Sequence, residues 1–265
     1  MPTLVPLSRE RHAQKCWRHW TSYAFAAQQG LVPLVAAEFP KATMALPIAF
    51  VQQGEAYLPV AVLGIEPGVN LFVAPDGRWL GGYVPAVLRS YPFSLAQTGE
   101  GQWALCIDEE SGLLVAAGEG EPFFAAGGEL AERVKAVMAV LQQVEHSRQT
   151  TVRACASLSQ YGLIKPWPIR VKLGESQDEV EGLFQIDEGV LNRLADGPFL
   201  ELRRVGALAL AYCQLLSMQH IDLLGRLAAH RVQAVSPPPF NLEEPELIQF
   251  DWDALRKGGH AGEEG

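Results

Sequence analysis

The sequence predicts an α+β fold in which antiparallel β-hairpins form a sheet and helices from the C-terminal half pack against it. Two apolar runs, Ala45–Val51 and Ala56–Leu63, flank a polar turn that contains Gly54, which is the pattern of a hairpin. Residues 129–160 carry apolar side chains every three or four positions, as an amphipathic helix does. Residues 199–232 are apolar over most of their helical circumference, which predicts a helix buried in the core.

Further strands follow from short apolar or alternating runs. Phe93–Gln97 and Trp103–Asp108 are separated by a glycine-containing turn and predict a second hairpin. Ile169–Leu173 and Val180–Ile186 alternate around a polar segment and predict a third hairpin. Asn70–Val73 predicts one more short strand, which ends before a tight turn at Asp76-Gly77.

Proline, glycine and capping residues set the limits of the helices. Pro33 and Pro40 restrict residues 21–42 to short helical turns, because an interior proline ends a helix. Tyr83–Ser90 is expected to form one or two helical turns that begin near Pro85. The predicted helix ends are Gly162 as the C-cap of 129–160, Asp187 as the N-cap of Glu188–Leu194, and Gly206 as a break within 199–232.

Three parts of the chain differ in composition. Residues 1–20 form a basic arm with two tryptophans, Trp17 and Trp20, which either dock on the domain or bind a partner. Residues 21–235 are expected to be a single α+β domain. Residues 236–265 are an acidic tail with spaced apolar side chains, expected to be partly disordered.

Charge and apolar patterning exclude several classes of protein. The chain of 265 residues has 30 acidic and 21 basic side chains, a net charge of -9, which argues against non-specific nucleic-acid binding. The N-terminus lacks the apolar core of a signal peptide, and no apolar run is long enough to insert into a membrane. Four dispersed cysteines without metal-site spacing are typical of a reducing compartment. We therefore expect a cytoplasmic protein without a cofactor.

The best candidate for a binding site is the stretch from Asp76 to Phe93. It concentrates aromatic rings that can stack on a ligand, arginines that can pair with carboxylates, and a glycine pair that allows close approach to the backbone. The candidate ligand-binding residues are Arg78, Trp79, Gly81, Gly82, Tyr83, Arg89 and Tyr91. The alternative is a glycine turn with aromatic side chains packed beneath the sheet.

Two other groups of residues allow different chemistry. His220 and Asp222 match part of a metal-binding HxD pattern, for which His230 or His260 is a possible third ligand. Residues i and i+2 of a helix point to different faces, however, so we regard this metal site as the weaker alternative. Asp108, Glu109 and Glu110 are an acidic cluster that fits solvated loop charges better than acid–base catalysis, and they disfavour a reactive thiolate at Cys106.

Several segments in order along the chain resemble the bacterial SapC family, which is distinct from the membrane permease of the same name. They are Tyr23–Ala27, Pro33–Phe39, Pro47–Val51, Gly81–Ala86, Tyr91–Phe93, Cys106–Asp108, Gly162–Ile164 and Leu215–Gln219. The resemblance implies a role linked to surface-layer or cell-envelope proteins, since the family is named after a gene in a surface-layer locus. Its members often occur beside TonB-dependent receptors and tryptophan-halogenase-like proteins. No catalytic residues are implied.

Three functional hypotheses follow. The first is a non-enzymatic accessory protein that binds a protein or peptide partner. The second is a peptide-modifying enzyme, for example a metal-dependent oxygenase, that acts with neighbouring oxidative enzymes. The third is a homo-oligomer in which the acidic tail docks on a neighbouring subunit.

Overall fold

A computed structural model describes residues 3–99, 102–173 and 176–235, with the backbone alone for 170–173, 176–179 and 232–235. The strands are β1 Leu4–Pro6, β2 Lys15–Trp17, β3 Leu31–Pro33, β4 Ile48–Gln53, β5 Ala56–Val62, β6 Phe93–Gly99, β7 Gln102–Asp108, β8 Leu114–Ala116, β9 Glu121–Pro122, β10 Ile164–Pro166, β11 Ile169–Leu173, β12 Ser176–Val180 and β13 Leu183–Ile186. The helices are α1 Arg9–His12, α2 Phe39–Ala42, α3 Ala86–Arg89, α4 Glu132–Gln160, α5 Glu188–Leu191, α6 Asp196–Arg204, α7 Ala207–Ser217 and α8 Ile221–Val235. Short 3₁₀ turns cover Ala24–Ala26, Ala36–Glu38, Glu109–Ser111 and Met218–His220.

The chain up to Arg231 forms one compact unit around a five-stranded antiparallel sheet in the order β10-β13-β4-β5-β3. The predicted hairpin is β4 and β5, whose register runs from Ile48↔Ala61 to Gln53↔Ala56. The inner part of this pair is buried on both faces, because α4 packs against β5 and α7 packs near β4 and β13. The predicted α+β class is therefore confirmed.

Asn70–Val73 is not a strand, contrary to the prediction. The buried Asn70 side chain donates to Ala26 O at 3.1 Å and accepts from Phe72 N at 2.9 Å. This local side-chain turn takes the place of ladder hydrogen bonds. A single bridge from Val73 to Trp79 is the only strand-like pairing that the described chain shows for this segment.

The third hairpin was predicted with the wrong partner. β11 pairs with β12, from Ile169↔Val180 to Leu173↔Ser176, and residues 174–175 lie outside the described residues. Gly182 has a φ of 79°, a left-handed conformation that separates β12 from β13. β13 then joins the main sheet between β10 and β4.

The N-terminal residues contribute strands to two smaller sheets. β1 pairs with β7 of the second predicted hairpin, which is confirmed as β6–β7. β2 lies between β8 and β9. Trp17, at the end of β2, is 1% exposed and packs edge-on against Phe93 at 4.8 Å. These sheets and the first half of α4 enclose a second core, separate from the core under the five-stranded sheet.

The long predicted helix is confirmed as α4, a continuous helix of 29 residues. The helix ends at Gln160, and Gly162, two residues later, has a φ of 64°. The Gly162 N–H donates to Ser159 O, and the Leu163 N–H donates to Leu158 O. This is a Schellman motif, with the buried Leu158 and Leu163 as its apolar pair.

The second predicted helix is divided at Gly206, as expected, because that residue adopts a φ of 75°. The result is α6 and α7, with the 3₁₀ turn Met218–His220 leading into α8. Asp187 caps α5 by accepting from Val190 N at 3.1 Å. α5 is one turn, shorter than predicted.

Across the helices of the described chain, none combines the length and the apolar character that a membrane span needs. The 21–235 domain remains a prediction, and the tail after 235 lies outside the described residues.

Candidate functional site

The Asp76–Phe93 stretch lies against the segment 20–26. Gly77 adopts a φ of 82°, and its carbonyl accepts the Tyr23 N–H at 2.8 Å. A Cβ on Gly77 would lie 1.9 Å from Ser22 Oγ, so this close contact requires glycine. The turn therefore places the aromatic residues of the stretch beside those of residues 20–25.

Five partly exposed rings form a continuous group that we call the aromatic surface: Trp20, Tyr23, Phe25, Trp79 and Tyr91. Phe25 stacks face to face on Tyr91, with centroids 3.9 Å apart and an interplanar angle of 8°. Tyr23 joins Trp20 at 4.5 Å and Trp79 at 5.4 Å. Rings that remain partly exposed in a group of this kind are typical of binding surfaces.

Arg89 lies at the end of α3 and is exposed. Its Nε donates to Val84 O at 3.1 Å, and its Nη2 donates to the Tyr83 hydroxyl oxygen at 3.3 Å. The guanidinium carbon lies 5.6 Å from the centre of the Tyr83 ring, a cation–π contact. Among the described residues, no carboxylate oxygen lies within 4.0 Å of its nitrogens.

Tyr83 connects Arg89 to a buried carboxylate. The Tyr83 hydroxyl donates to Glu38 Oε1 at 2.9 Å, and Glu38 is 6% exposed. Glu38 also accepts the Ala86 N–H at 2.6 Å and the Val35 N–H at 3.0 Å. Burial and the negative charge of Glu38 raise the pKa of Tyr83 to about 12, so the hydroxyl keeps its proton at neutral pH.

Arg89 also affects Tyr23. Burial raises the pKa of Tyr23, and the positive charge of Arg89 opposes that rise. Arg89 and the aromatic surface are linked through Tyr83, because the guanidinium lies over its ring and Trp79 Nε1–H donates to its carbonyl.

Arg78, Gly81 and Gly82 have local roles that differ from that of Arg89. Arg78 is 76% exposed, and its Nε donates to Asp76 Oδ2 at 2.6 Å, so its charge is already paired within the turn. A Cβ on Gly81 would lie 2.9 Å from both Phe72 and Trp79, so Gly81 makes room for these stacked rings. Gly82 is exposed, and a Cβ there would meet only Ala45 at 3.4 Å.

Trp79 combines both alternatives that the sequence allowed. Its ring stacks on the buried Phe72, and its Nε1–H donates to Tyr83 O at 2.9 Å. Its other neighbour, Tyr23, belongs to the aromatic surface. Trp79 therefore anchors this surface on the core.

His220 and Asp222 lie apart from these residues. His220 is on the 3₁₀ turn before α8, and its Nε2 lies 2.9 Å from Thr43 O, to which it donates a hydrogen bond. That nitrogen is therefore not free to bind a metal. Asp222 is exposed in the first turn of α8, and within the described chain no three His, Cys, Asp or Glu side chains are grouped as a metal site requires. His260 lies outside the described residues.

Glu109 of the acidic cluster is paired with basic side chains, which differs from the solvated loop charge that the sequence predicts. Glu109 binds Arg11 through its Oε1 at 2.7 Å from Nε, and Lys15 and the buried His12 lie 3.6 and 3.2 Å from the same oxygen. The hydrogen bond from Arg11, aided by its charge, lowers the pKa of Glu109 to about 2. Burial raises the pKa of the Cys106 thiol, which fits the expectation that Cys106 is unreactive.

Sequence reasoning missed Glu38, Tyr23 and Phe25 as members of this site, and it assigned Trp20 to a separate N-terminal arm. Glu38 carried one usable signal, because it is a single carboxylate within an apolar segment, Leu31–Phe39. Such a side chain is either exposed or held by several donors. The meeting of the rings at 20–25 with those at 79–91 carried no local signal, because these contacts join distant parts of the chain.

A family model described as SapC matches residues 7–224, which include the aromatic surface, Glu38, Tyr83 and Arg89. Because the match covers most of the chain, this protein belongs to the SapC family. No curated protein and no solved structure gives a significant match to the chain.

Proposed function

We propose that this SapC-family chain is a non-enzymatic accessory protein that binds a peptide segment on the aromatic surface beside Arg89. The observation that carries the proposal is an exposed guanidinium held over Tyr83, a residue whose carbonyl also binds Trp79 of the aromatic surface. Aromatic side chains and arginine are the residues that contribute most to protein–protein recognition. A role in handling cell-envelope or surface-layer proteins from the cytoplasm is the setting that the family resemblance favours.

The geometry explains why a ligand would gain from this surface. Phe25 and Tyr91 are already stacked, so little side-chain entropy is lost when a ligand covers them. Trp79 is held by a hydrogen bond and by Phe72. Covering such rigid rings removes apolar area from water at about 25 cal/mol per Å².

The test is binding of synthetic acetylated hexapeptides, each with one Phe, Tyr or Leu at a varied position, measured by isothermal titration. We expect binding that weakens at least tenfold, about 1.4 kcal/mol, in Phe25→Ala and Tyr91→Ala. The matched control is Leu80→Ala, which removes an exposed apolar side chain of the same stretch outside the aromatic surface. Equal loss in all three variants, or no peptide binding at all, contradicts the proposal.

A further inference from the structure

Arg89 has hydrogen-bonding capacity left over after its contacts within the protein. Nε is used by Val84 O, and one Nη2–H is used by Tyr83. Among the described residues, Nη1 has no hydrogen-bond partner. One N–H on each terminal nitrogen is therefore available to a ligand, and these two parallel donors match the two oxygens of a carboxylate.

Arg89 offers a ligand a single positive charge. Arg78, the other arginine of the stretch, is paired with Asp76. The first backbone N–H of α3, that of Ala86, is used by Glu38. A phosphate dianion is usually held by several cations or by free backbone N–H groups, whereas one guanidinium suffices for a carboxylate.

Tyr83 and Glu38 fix the direction of Arg89. The Glu38 carboxylate accepts the Tyr83 proton, so the lone pairs of the Tyr83 oxygen face the guanidinium. Two backbone N–H groups hold Glu38 in turn. Tyr83 and Glu38 are thus positioning residues, since they act on a ligand through Arg89.

From these contacts we infer that the site recognises a carboxylate of its peptide ligand, held end-on by Arg89, with an apolar side chain of the ligand lying on the aromatic surface. That the ligand is a peptide rests on the proposed function. That the recognised group is a carboxylate rests on the geometry of Arg89. A free carboxyl terminus and an Asp or Glu side chain present the same group, and the experiment separates them.

The first probe is a small molecule that does not depend on peptide binding. We would titrate 3-phenylpropionate, its uncharged amide and phenyl phosphate into the full-length protein and follow binding by saturation-transfer NMR and calorimetry. We expect the carboxylate to bind at least tenfold more tightly than the amide and more tightly than the phosphate. Equal affinity for acid and amide, or a preference for phosphate, overturns the inference.

The second probe is a set of four related peptides. The first is acetyl-Ala-Ala-Ala-Phe with a free carboxyl terminus, and the second is its C-terminal amide. The third and fourth are amides in which Asp or phosphoserine replaces the Ala before Phe. Preference for the first assigns a carboxyl terminus, and preference for the Asp peptide assigns a side chain. If 3-phenylpropionate binds through Arg89 but no peptide does, the carboxylate inference stands and the proposed function fails. If peptides bind equally well as acids and amides, the proposed function stands and the inference fails.

Variants connect either result to the residues. In Arg89→Gln we expect the acid-to-amide ratio of affinities to fall to about one while binding of the amide is retained. Arg89→Lys should restore only part of the ratio, because an ammonium cannot present two parallel donors. Tyr83→Phe should lower the acid-to-amide ratio of affinities without weakening binding of the amide. A general structural defect would weaken binding of both. Arg78→Gln is the matched control, and an equal effect there contradicts the assignment.

Discussion

Replacing Gln214 by leucine is the perturbation that tests the fold most directly. Gln214 lies on α7 and is fully buried. Its Oε1 accepts the Ile186 N–H at 2.9 Å, and its Nε2 donates to Ile48 O at 3.1 Å. The register of β13 with β4, extended two residues beyond Phe184↔Phe50, brings Ile186 opposite Ile48. The Gln214 side chain therefore bridges the two strands at the point where their ladder ends.

The size of the effect follows from these two contacts. Leucine fills a similar volume but can neither donate nor accept, so a buried N–H and a buried C=O lose their partners. Each such group costs about 1–3 kcal/mol, and the greater apolar character of leucine offsets part of that cost. We expect the free energy of unfolding to fall by about 2–4 kcal/mol. For a unit of this size the melting temperature would fall by roughly 5–12 °C.

The assay is urea denaturation followed by circular dichroism, with amide hydrogen exchange as a local readout. Exchange of the Ile186 N–H should accelerate in the variant more than that of β5 amides. The matched control is Gln219→Leu, the same change at an exposed position. If the two variants differ by less than about 0.5 kcal/mol, the bridge does not stabilise the sheet and the reasoning is wrong.

Three further predictions concern single contacts. Thr151→Val removes the hydroxyl that accepts the Ala36 N–H at 2.7 Å. It should lower the free energy of unfolding by about 1–2 kcal/mol. The neutral control is Thr150→Val, the same change at an exposed position. Gly162→Ala forces alanine into a φ of 64° and should cost about 1 kcal/mol, whereas Gly197→Ala in α6 should not destabilise. Glu109→Gln should lower stability at pH 7 by about 1 kcal/mol, since its partner Arg11 is half exposed to solvent.

The pH dependence of the Glu109 variant gives a second check. The folded-state pKa of about 2 is lower than the ordinary value of 4.5, so the carboxylate stabilises the fold above about pH 4.5. This contribution is lost as the pH falls from 4.5 towards 2, and the difference from Glu109→Gln should shrink over the same interval. A difference that stays constant from pH 7 to pH 3, measured by urea denaturation, contradicts the ion-pair account.

The other two predictions have matched controls. Equal stabilities for Thr151→Val and Thr150→Val, or for the two glycine variants, contradict the contacts described above.

Much of the fold could be predicted because its signals are local. Gly54 between two apolar runs gave β4–β5, and Gly206 and Gly162 gave helix limits that the structure confirms. The errors occurred where a local pattern had two solutions. The apolar run at 180–186 predicts one strand, although the Glu181-Gly182 pair within it permits a turn, and the structure has that break.

The candidate site was predictable only in part. The stretch 76–93 stands out by composition, yet Arg78 and Arg89 are equivalent candidates in the sequence. The pairing of Arg78 with Asp76 is local, two residues apart, so the sequence can indicate it. The contact between Glu38 and Tyr83, which positions Arg89, joins residues 45 positions apart and has no local signal in the sequence.

By itself the sequence determined the class of fold, the long helix α4, two of the hairpins and the family, because turn residues and apolar periodicity act within a few positions. Tertiary structure alone decided which strand joins β4, that Glu38 and Tyr83 position Arg89, and that the rings of 20–25 meet those of 79–91. These outcomes depend on contacts between distant segments. Such contacts are selected by the shape of the whole core and by the pairing of buried polar groups, and neither is encoded in a local pattern.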